Sequence, residues 1–145
     1  MRKIITIITL FLFALILTSC SEYKDTNGED DYTLQSITDD EIVDDSNYSV
    51  IGSYRNVIKN KGSYRVKKIN GVFTIDTFSK GTYTFTVDFK VSKGNAKLVL
   101  CDDDEIIYEF NVNQDNQSYT ISSSKRFYLK VAGENSSLEV KYEYN

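Results

Sequence analysis

The sequence predicts an all-β protein, a single antiparallel β-sandwich or jelly roll of about eight or nine strands, with a barrel as the alternative. Apolar and polar residues alternate strictly over 82–91, which indicates a strand with one buried face. β-branched and aromatic residues dominate, and no stretch has the 3.6-residue apolar stripe of a helix. Turn signals separate the alternating runs at short intervals, as in sandwiches and barrels.

Nine runs are candidate strands. They lie near 47–57, 63–69, 72–77, 82–92, 95–101, 105–113, 117–122, 125–132 and 137–144. Asn70-Gly71 is the best candidate for a two-residue hairpin turn. The other corners carry Asn60-Lys61-Gly62, Ser79-Lys80-Gly81, Lys93-Gly94-Asn95, Gly133-Glu134-Asn135 and the polar stretches 102–104 and 113–117. The run 95–101 is apolar on both faces, so we expect it to be covered on both sides.

Composition excludes several kinds of site. The chain has 145 residues with no His, Trp or Pro, two Cys, and a net charge of −4. Without His there is no Ser–His or Cys–His catalysis and no His-based zinc site. Two Cys are too few for a Cys₄ metal site.

The first nineteen residues predict a bacterial signal peptide. A basic start at 1–3 precedes a run of apolar character at 4–17, too short for the roughly 20 residues of a membrane span. The run ends in Leu17-Thr18-Ser19-Cys20, which resembles the lipobox of bacterial lipoproteins. The resemblance implies cleavage before Cys20 and diacylglycerol on its thiol. Lipid would then anchor the protein outside the cytoplasm, in the outer membrane where a bacterium has two; the alternative is an ordinary secretory signal that ends in Cys.

The predicted mature chain has two parts. Residues 21–45 hold ten acidic residues and one Lys, a net of −9, which predicts a disordered tether over 20–45. The alternative is an acidic strip that docks a basic partner, and Leu34–Ile37 and Ile42-Val43 could lie against the domain. The domain itself spans 46–145, where fourteen basic and eleven acidic residues leave a net of +3. That modest charge and an extracytoplasmic location disfavour nucleic acid as a partner.

The strand pattern between Gly81 and Tyr144 resembles the β-sandwich modules of bacterial surface lipoproteins and carbohydrate-binding proteins. The best ligand-binding candidates are Arg126, Tyr128 and Lys130, which share one face of one strand. A tyrosine flanked by cations suits a sugar, an anionic polymer or a protein. An ordinary amphipathic outer face is the alternative interpretation.

Four consecutive acids form the only metal candidate. Asp102, Asp103, Asp104 and Glu105 could supply oxygen ligands to a structural calcium, although the order of an EF-hand loop is absent. Because alternate side chains of an extended chain point to opposite sides, a solvated turn is the simpler interpretation.

No set of residues predicts an enzyme. Asp88 and Glu109 lie on polar strand faces and could form a carboxylate pair for glycoside hydrolysis, although single acids on outward faces usually serve only solubility. Cys101 is expected to be a small apolar residue at a strand end, or alternatively a site of intermolecular disulfide formation or redox sensing.

Three functions fit these features. The first is a non-catalytic binding module at the cell envelope, with a glycan, a peptide or a neighbouring protein as its ligand. The second is a self-protection lipoprotein, similar to immunity proteins, that sequesters a secreted toxin or bacteriocin. The third is a structural component of the envelope.

Overall fold

The structure, a computed structural model, describes residues 32–44 and 47–145. It confirms the all-β class, with six antiparallel strands in one connected sheet. The elements are helix α1 (Asp39–Asp44) and strands β1 (Tyr48–Ile58), β2 (Lys61–Phe78), β3 (Gly81–Cys101), β4 (Ile106–Phe110), β5 (Gln114–Ser123) and β6 (Phe127–Tyr144). Within these residues no helix is long and apolar enough to cross a membrane.

The predicted number of strands is wrong because three strands are long and bent. β2, β3 and β6 each pass through a point where the sequence predicted a turn. Gly71, Gly94 and Asn135 have positive φ angles of 96°, 72° and 54° at these points. The pairing register shifts nearby in β2 and β3, which is the mark of a β-bulge. The signals therefore mark bends within strands, and Asn70-Gly71 is not a hairpin.

Glycine is required at the bend of β2 for two reasons. The positive φ of Gly71 disfavours a side chain, and a Cβ atom there would lie 1.9 Å from the carbonyl oxygen of Asn47. The backbone of Asn47, just before β1, can therefore approach β2 closely at this point.

The bends place the two halves of each long strand in two different layers. The first layer runs in the order β1, 61–69 of β2, 136–144 of β6, 81–91 of β3, and β5. The second layer runs in the order 71–78 of β2, 127–133 of β6, 95–101 of β3, and β4. When each half of a long strand is counted separately, these segments match the nine predicted runs. The sequence therefore located the segments, but it did not show that pairs of them join into single long strands.

One core fills the space between the two layers. Phe85 of the first layer meets Phe78 of the second edge to face, with ring centroids 5.0 Å apart. Tyr64 stacks on Phe73 at 4.8 Å. The core residues are Tyr64, Val66, Ile69, Ile75, Phe78, Phe85, Val87, Phe89, Val91, Ala96, Leu98, Leu100, Phe110, Ile121, Phe127, Leu129, Val131, Leu138, Val140 and Tyr142. The sandwich is thus a single sheet folded over its own apolar face.

A second, smaller apolar cluster covers the outer face of the second layer. Ile42 of α1 is fully buried there, together with Val72, Val99, Cys101 and Ala132. The run 95–101 is therefore covered on both sides, as its sequence predicts. The predicted tether is wrong over 32–44, because Leu34, Ile37 and Val43 also pack on this cluster. The rest of the tether and the signal peptide lie outside the described residues.

Candidate binding surfaces

The strand face with Arg126, Tyr128 and Lys130 is largely an internal interface. Lys130 is only 4% exposed, and its Nζ donates hydrogen bonds to the carbonyl oxygens of Ile42 at 3.1 Å and Val43 at 2.8 Å. Both carbonyls lie near the C-terminal end of α1, where a cation is favourable. Lys130 therefore holds the helix rather than an external ligand, which corrects its assignment as a binding residue.

Tyr128 also makes its contacts with other residues of the domain. Its hydroxyl donates to Asp103 at 2.8 Å, and its ring lies near the cations of both Lys130, at 5.2 Å, and Arg126, at 5.9 Å. Of the three predicted residues, only Arg126 is exposed. The alternative interpretation, an ordinary strand face, fits better once the N-terminal segment 32–44 lies on it.

The acidic turn is closed by hydrogen bonds of its own. Asp102 Oδ1 accepts from the backbone N–H groups of Asp104 at 2.9 Å and Glu105 at 3.0 Å. The N–H of Asp104 does most to lower the pKa of Asp102; burial opposes it, while the N–H of Glu105 and the Lys125 charge add to the lowering. Lys125 pairs with Asp104 and lies 3.9 Å from Asp102. An ammonium group thus sits where the calcium candidate would need a cation, and no cluster of acids, Cys or His in the described residues could hold a metal.

The other sequence candidates are not brought together. Asp88 lies in the first layer and accepts the N–H of Asn116 at 2.8 Å. Glu109 lies in β4 of the second layer and pairs with Lys97 at 3.1 Å. Cys101 is fully buried in the small apolar cluster. Its burial fits the expectation of a small apolar residue.

Glu134, at the bend of β6, is a structural residue that the sequence did not reveal. Its carboxylate accepts the N–H groups of Gln35 at 2.9 Å, Ser36 at 2.6 Å and Ile37 at 3.1 Å, and the Ser36 hydroxyl at 2.8 Å. Desolvation raises its pKa, but these hydrogen bonds outweigh it and lower the pKa to about 2. Glu134 therefore anchors the N-terminal segment 32–44 to the sheet.

The most unusual exposed surface lies on β1. All five large apolar side chains that are exposed among the described residues belong to this strand. They are Tyr48, Ile51, Tyr54, Val57 and Ile58, with exposed fractions of 48, 63, 59, 38 and 62%. β1 has β2 as its only described neighbour in the sheet, so one of its edges is open. We call this strand with its open edge the β1 edge.

Positive charge surrounds the β1 edge. Residues 47–69 contain six Lys or Arg residues and no Asp or Glu. Arg55, Lys61 and Arg65 form ion pairs with acids elsewhere in the domain, at 3.7, 2.7 and 2.9 Å. Lys67 and Lys68, which follow in β2, are exposed and form no ion pair with any described residue. The absence of acids from 47–69 was visible in the sequence, but its location beside an open edge was not.

A shallow groove of about 480 Å³ adjoins the end of the β1 edge. Asn56 and Ile58 of β1 line one side, and Thr86 and Asp88 of β3 line the other. Lys61 and Glu143 also line it and form an ion pair at 2.7 Å. The groove therefore extends the β1 edge across the polar outer face of the first layer.

No family model matches the chain, and the search of curated proteins finds no significant similarity.

Proposed function

We propose that the chain is a bacterial lipoprotein, anchored outside the cytoplasm through lipid on Cys20, whose domain is a non-catalytic binding module at the cell envelope. Its ligand is a glycan, a peptide or a neighbouring protein. The observation that carries the binding role is the β1 edge, because every exposed large apolar side chain of the described residues is concentrated there. Such patches on otherwise polar surfaces are typical of interaction sites.

The ordered N-terminal segment keeps the proposed module close to its membrane. Only the eleven residues 21–31 separate Cys20 from Tyr32, where the described segment begins. Even fully extended they would span about 40 Å. A ligand would therefore be bound near the membrane surface.

The chemistry of the described residues supports a role without catalysis. The chain has no His, and the two carboxylates considered for hydrolysis lie in different layers. The acids beside the groove are engaged, Glu143 with Lys61 and Asp88 with the backbone of Asn116. No nucleophile and base are paired at either surface.

Labelling with radioactive palmitate tests the anchor. The full-length chain should incorporate label and fractionate with membranes, and Cys20→Ala should abolish both. Cys101→Ala is the matched control, because the other cysteine is buried and should not take part. Label that persists in Cys20→Ala would contradict the lipobox assignment.

Thermal melting of the full-length protein in a neutral detergent tests the binding role. We would screen envelope glycans and peptides, and a ligand at 100 times its Kd should add about 2.7 kcal/mol of stability. Without ligand, the variant Tyr54→Ser/Ile58→Ser should have the same melting temperature as the parent. With ligand, it should lose the stabilisation that the parent shows. A response that survives in this variant would move the site elsewhere, and no response to any ligand class would contradict the binding role.

A further inference from the structure

We infer that the β1 edge binds an extended, acidic segment of another protein, which joins the first layer as an additional strand next to β1. This inference rests on the proposed binding function and specifies its ligand. Strand addition to an open sheet edge gives affinity through backbone hydrogen bonds and specificity through alternate side chains.

The β1 edge lacks the usual protection of edge strands. Natural edges are short, carry charges or proline, or are covered. β1 is eleven residues long, contains no proline, and has Arg55 as its only charged residue. The guanidinium of Arg55 is turned toward Asp76, 3.7 Å away. A bulge-like residue, Gly52 with φ of 62°, is the only interruption.

Two other edge strands of the sandwich show the contrast. β4, at the edge of the second layer, has only five residues. β5, at the far edge of the first layer, begins with the polar run 114–118, and its Asp115 pairs with Lys90 at 3.2 Å. Both edges are therefore protected by shortness or polarity, whereas the β1 edge is long and apolar.

Charge identifies the kind of strand that fits. Each exposed apolar residue on the outer face of β1 lies opposite a cation of β2, Ile51 opposite Lys68, Tyr54 opposite Arg65 and Ile58 opposite Lys61. A strand added to β1 would lie about 10 Å from β2, since neighbouring strands are about 4.8 Å apart. Lys and Arg can reach across one strand to a Glu side chain. Lys61 and Arg65 already pair with Glu143 and Glu139, whereas Lys67 and Lys68 have no ion pair among the described residues. A second copy would only add cations of the same kind, so charge favours an acidic partner.

The two faces of the added strand differ. On the core side, Tyr48 meets the ring of Phe73 edge to face at 5.0 Å, and Val57 lies opposite Gly62. Apolar side chains of the partner would continue this contact, while its outward side chains would approach the cations of β2. The partner is therefore an extended segment in which acidic and apolar residues alternate.

Fluorescence anisotropy with a labelled eight-residue peptide of alternating Glu and Val tests the mode of binding. Only alternate N–H groups of an added strand face its neighbour. We would therefore compare one peptide N-methylated at every Glu with another N-methylated at every Val. The peptide that loses the N–H groups facing β1 should bind at least tenfold more weakly, and the other should bind nearly as well as the parent peptide. Equal binding of both methylated peptides would overturn strand addition in favour of simple charge attraction.

Charge reversal in the protein tests the location. Lys67→Glu/Lys68→Glu should weaken peptide binding about tenfold, because two exposed attractions become repulsions. The matched control is Lys80→Glu/Arg126→Glu, which makes the same charge change at exposed residues of the β2–β3 turn and the strand face predicted from sequence. Loss of binding in the control but not in the first variant would overturn the assignment.

The outcomes separate this inference from the proposed function. If no acidic peptide binds but a glycan or another peptide stabilises the protein, strand addition is wrong and the binding module stands. If sedimentation shows that the chain pairs with itself through β1, as judged by loss of pairing in Tyr54→Lys, the occupant is a second copy and the acidic partner is wrong.

Discussion

The two layers of the sandwich differ in the polarity of their outer faces and in whether another part of the chain covers them. The outer face of the second layer is apolar at Val72, Val99 and Ala132, and the N-terminal segment 32–44 covers it. Away from β1 the outer face of the first layer is polar, with hydroxyl pairs such as Thr84 and Thr120 at 3.0 Å, and nothing described covers it. β3 contributes to both layers. Apolar and polar residues therefore alternate in its first half, whereas its second half carries apolar residues on both faces.

The charged groups of the two layers also differ. Three charged groups of the second layer bind the N-terminal segment: Lys97 pairs with Asp39, Lys130 donates to helix carbonyls, and Glu134 accepts backbone N–H groups. Lys67 and Lys68, beside the β1 edge, have no such partner among the described residues. Charges satisfied within the chain mark an internal interface, whereas unpaired cations beside exposed apolar residues mark a surface for another molecule.

Phe85→Ala is expected to have the largest effect on stability. Phe85 is fully buried in β3 and contacts the ring of Phe78 across the core. Its removal should lower the free energy of unfolding by about 3–5 kcal/mol in urea denaturation. Thr86→Ala, on the exposed face of the same strand, should change it by less than about 0.5 kcal/mol. Similar effects in the two variants would mean that the faces of the first layer are misassigned.

The sequence predicted the strand segments but not the long strands. Alternation identifies which residues are in a strand, and it did so over 82–91 and 95–101. A positive φ at Gly71 or Gly94 serves a hairpin and a bend equally well, and only pairing with distant strands decides between them. Those pairings depend on long-range packing that local sequence does not encode.

The binding surface was predicted less well than the fold. Arg126, Tyr128 and Lys130 do share one strand face, but the sequence could not show that a distant segment covers it. The acidity of 21–45 suggested disorder, although the apolar residues at Leu34–Ile37 and Ile42-Val43 suggested contact with the domain. Burial of Ile42 and the nest of N–H groups around Glu134 offset the ordering of this acidic segment over 32–44.

Ile42→Ala tests whether the cover of the second layer belongs to the cooperative fold. Ile42 is fully buried, and Thr38 and Glu41 form a capping box at the start of its helix, with Thr38 N–H to Glu41 Oε2 at 2.7 Å. The substitution should cost about 2–3 kcal/mol in the free energy of unfolding. Asp40→Ala, exposed on the same helix, is the matched control. An unchanged stability would mean that 32–44 detaches before the domain unfolds.

Glu134 should make the same attachment sensitive to acid. Its pKa in the folded protein is about 2, below the ordinary value of 4.5. The folded state therefore gains stability that is fully present above about pH 4.5 and is lost as the pH falls toward 2. Glu134→Gln should cost roughly 1 kcal/mol at pH 7 and flatten this part of the profile. Urea denaturation between pH 2 and 7 measures the free energy of unfolding and its dependence on pH. If the stability of the variant falls with acid as steeply as that of the parent, other groups cause the acid sensitivity.

Tyr54→Ser should have the smallest effect on stability and the clearest effect on binding. Tyr54 is 59% exposed on the outer face of β1, so its removal should change the free energy of unfolding by no more than about 0.5 kcal/mol. Because Tyr54 contributes so little to stability, its exposure on an open edge is better explained by contact with a partner than by a role in the fold. Urea denaturation checks the first expectation and peptide anisotropy the second. A loss of several kcal/mol would show that β1 is stabilised by its own aromatic surface, and the difference between the covered and uncovered layers would then lose its functional meaning.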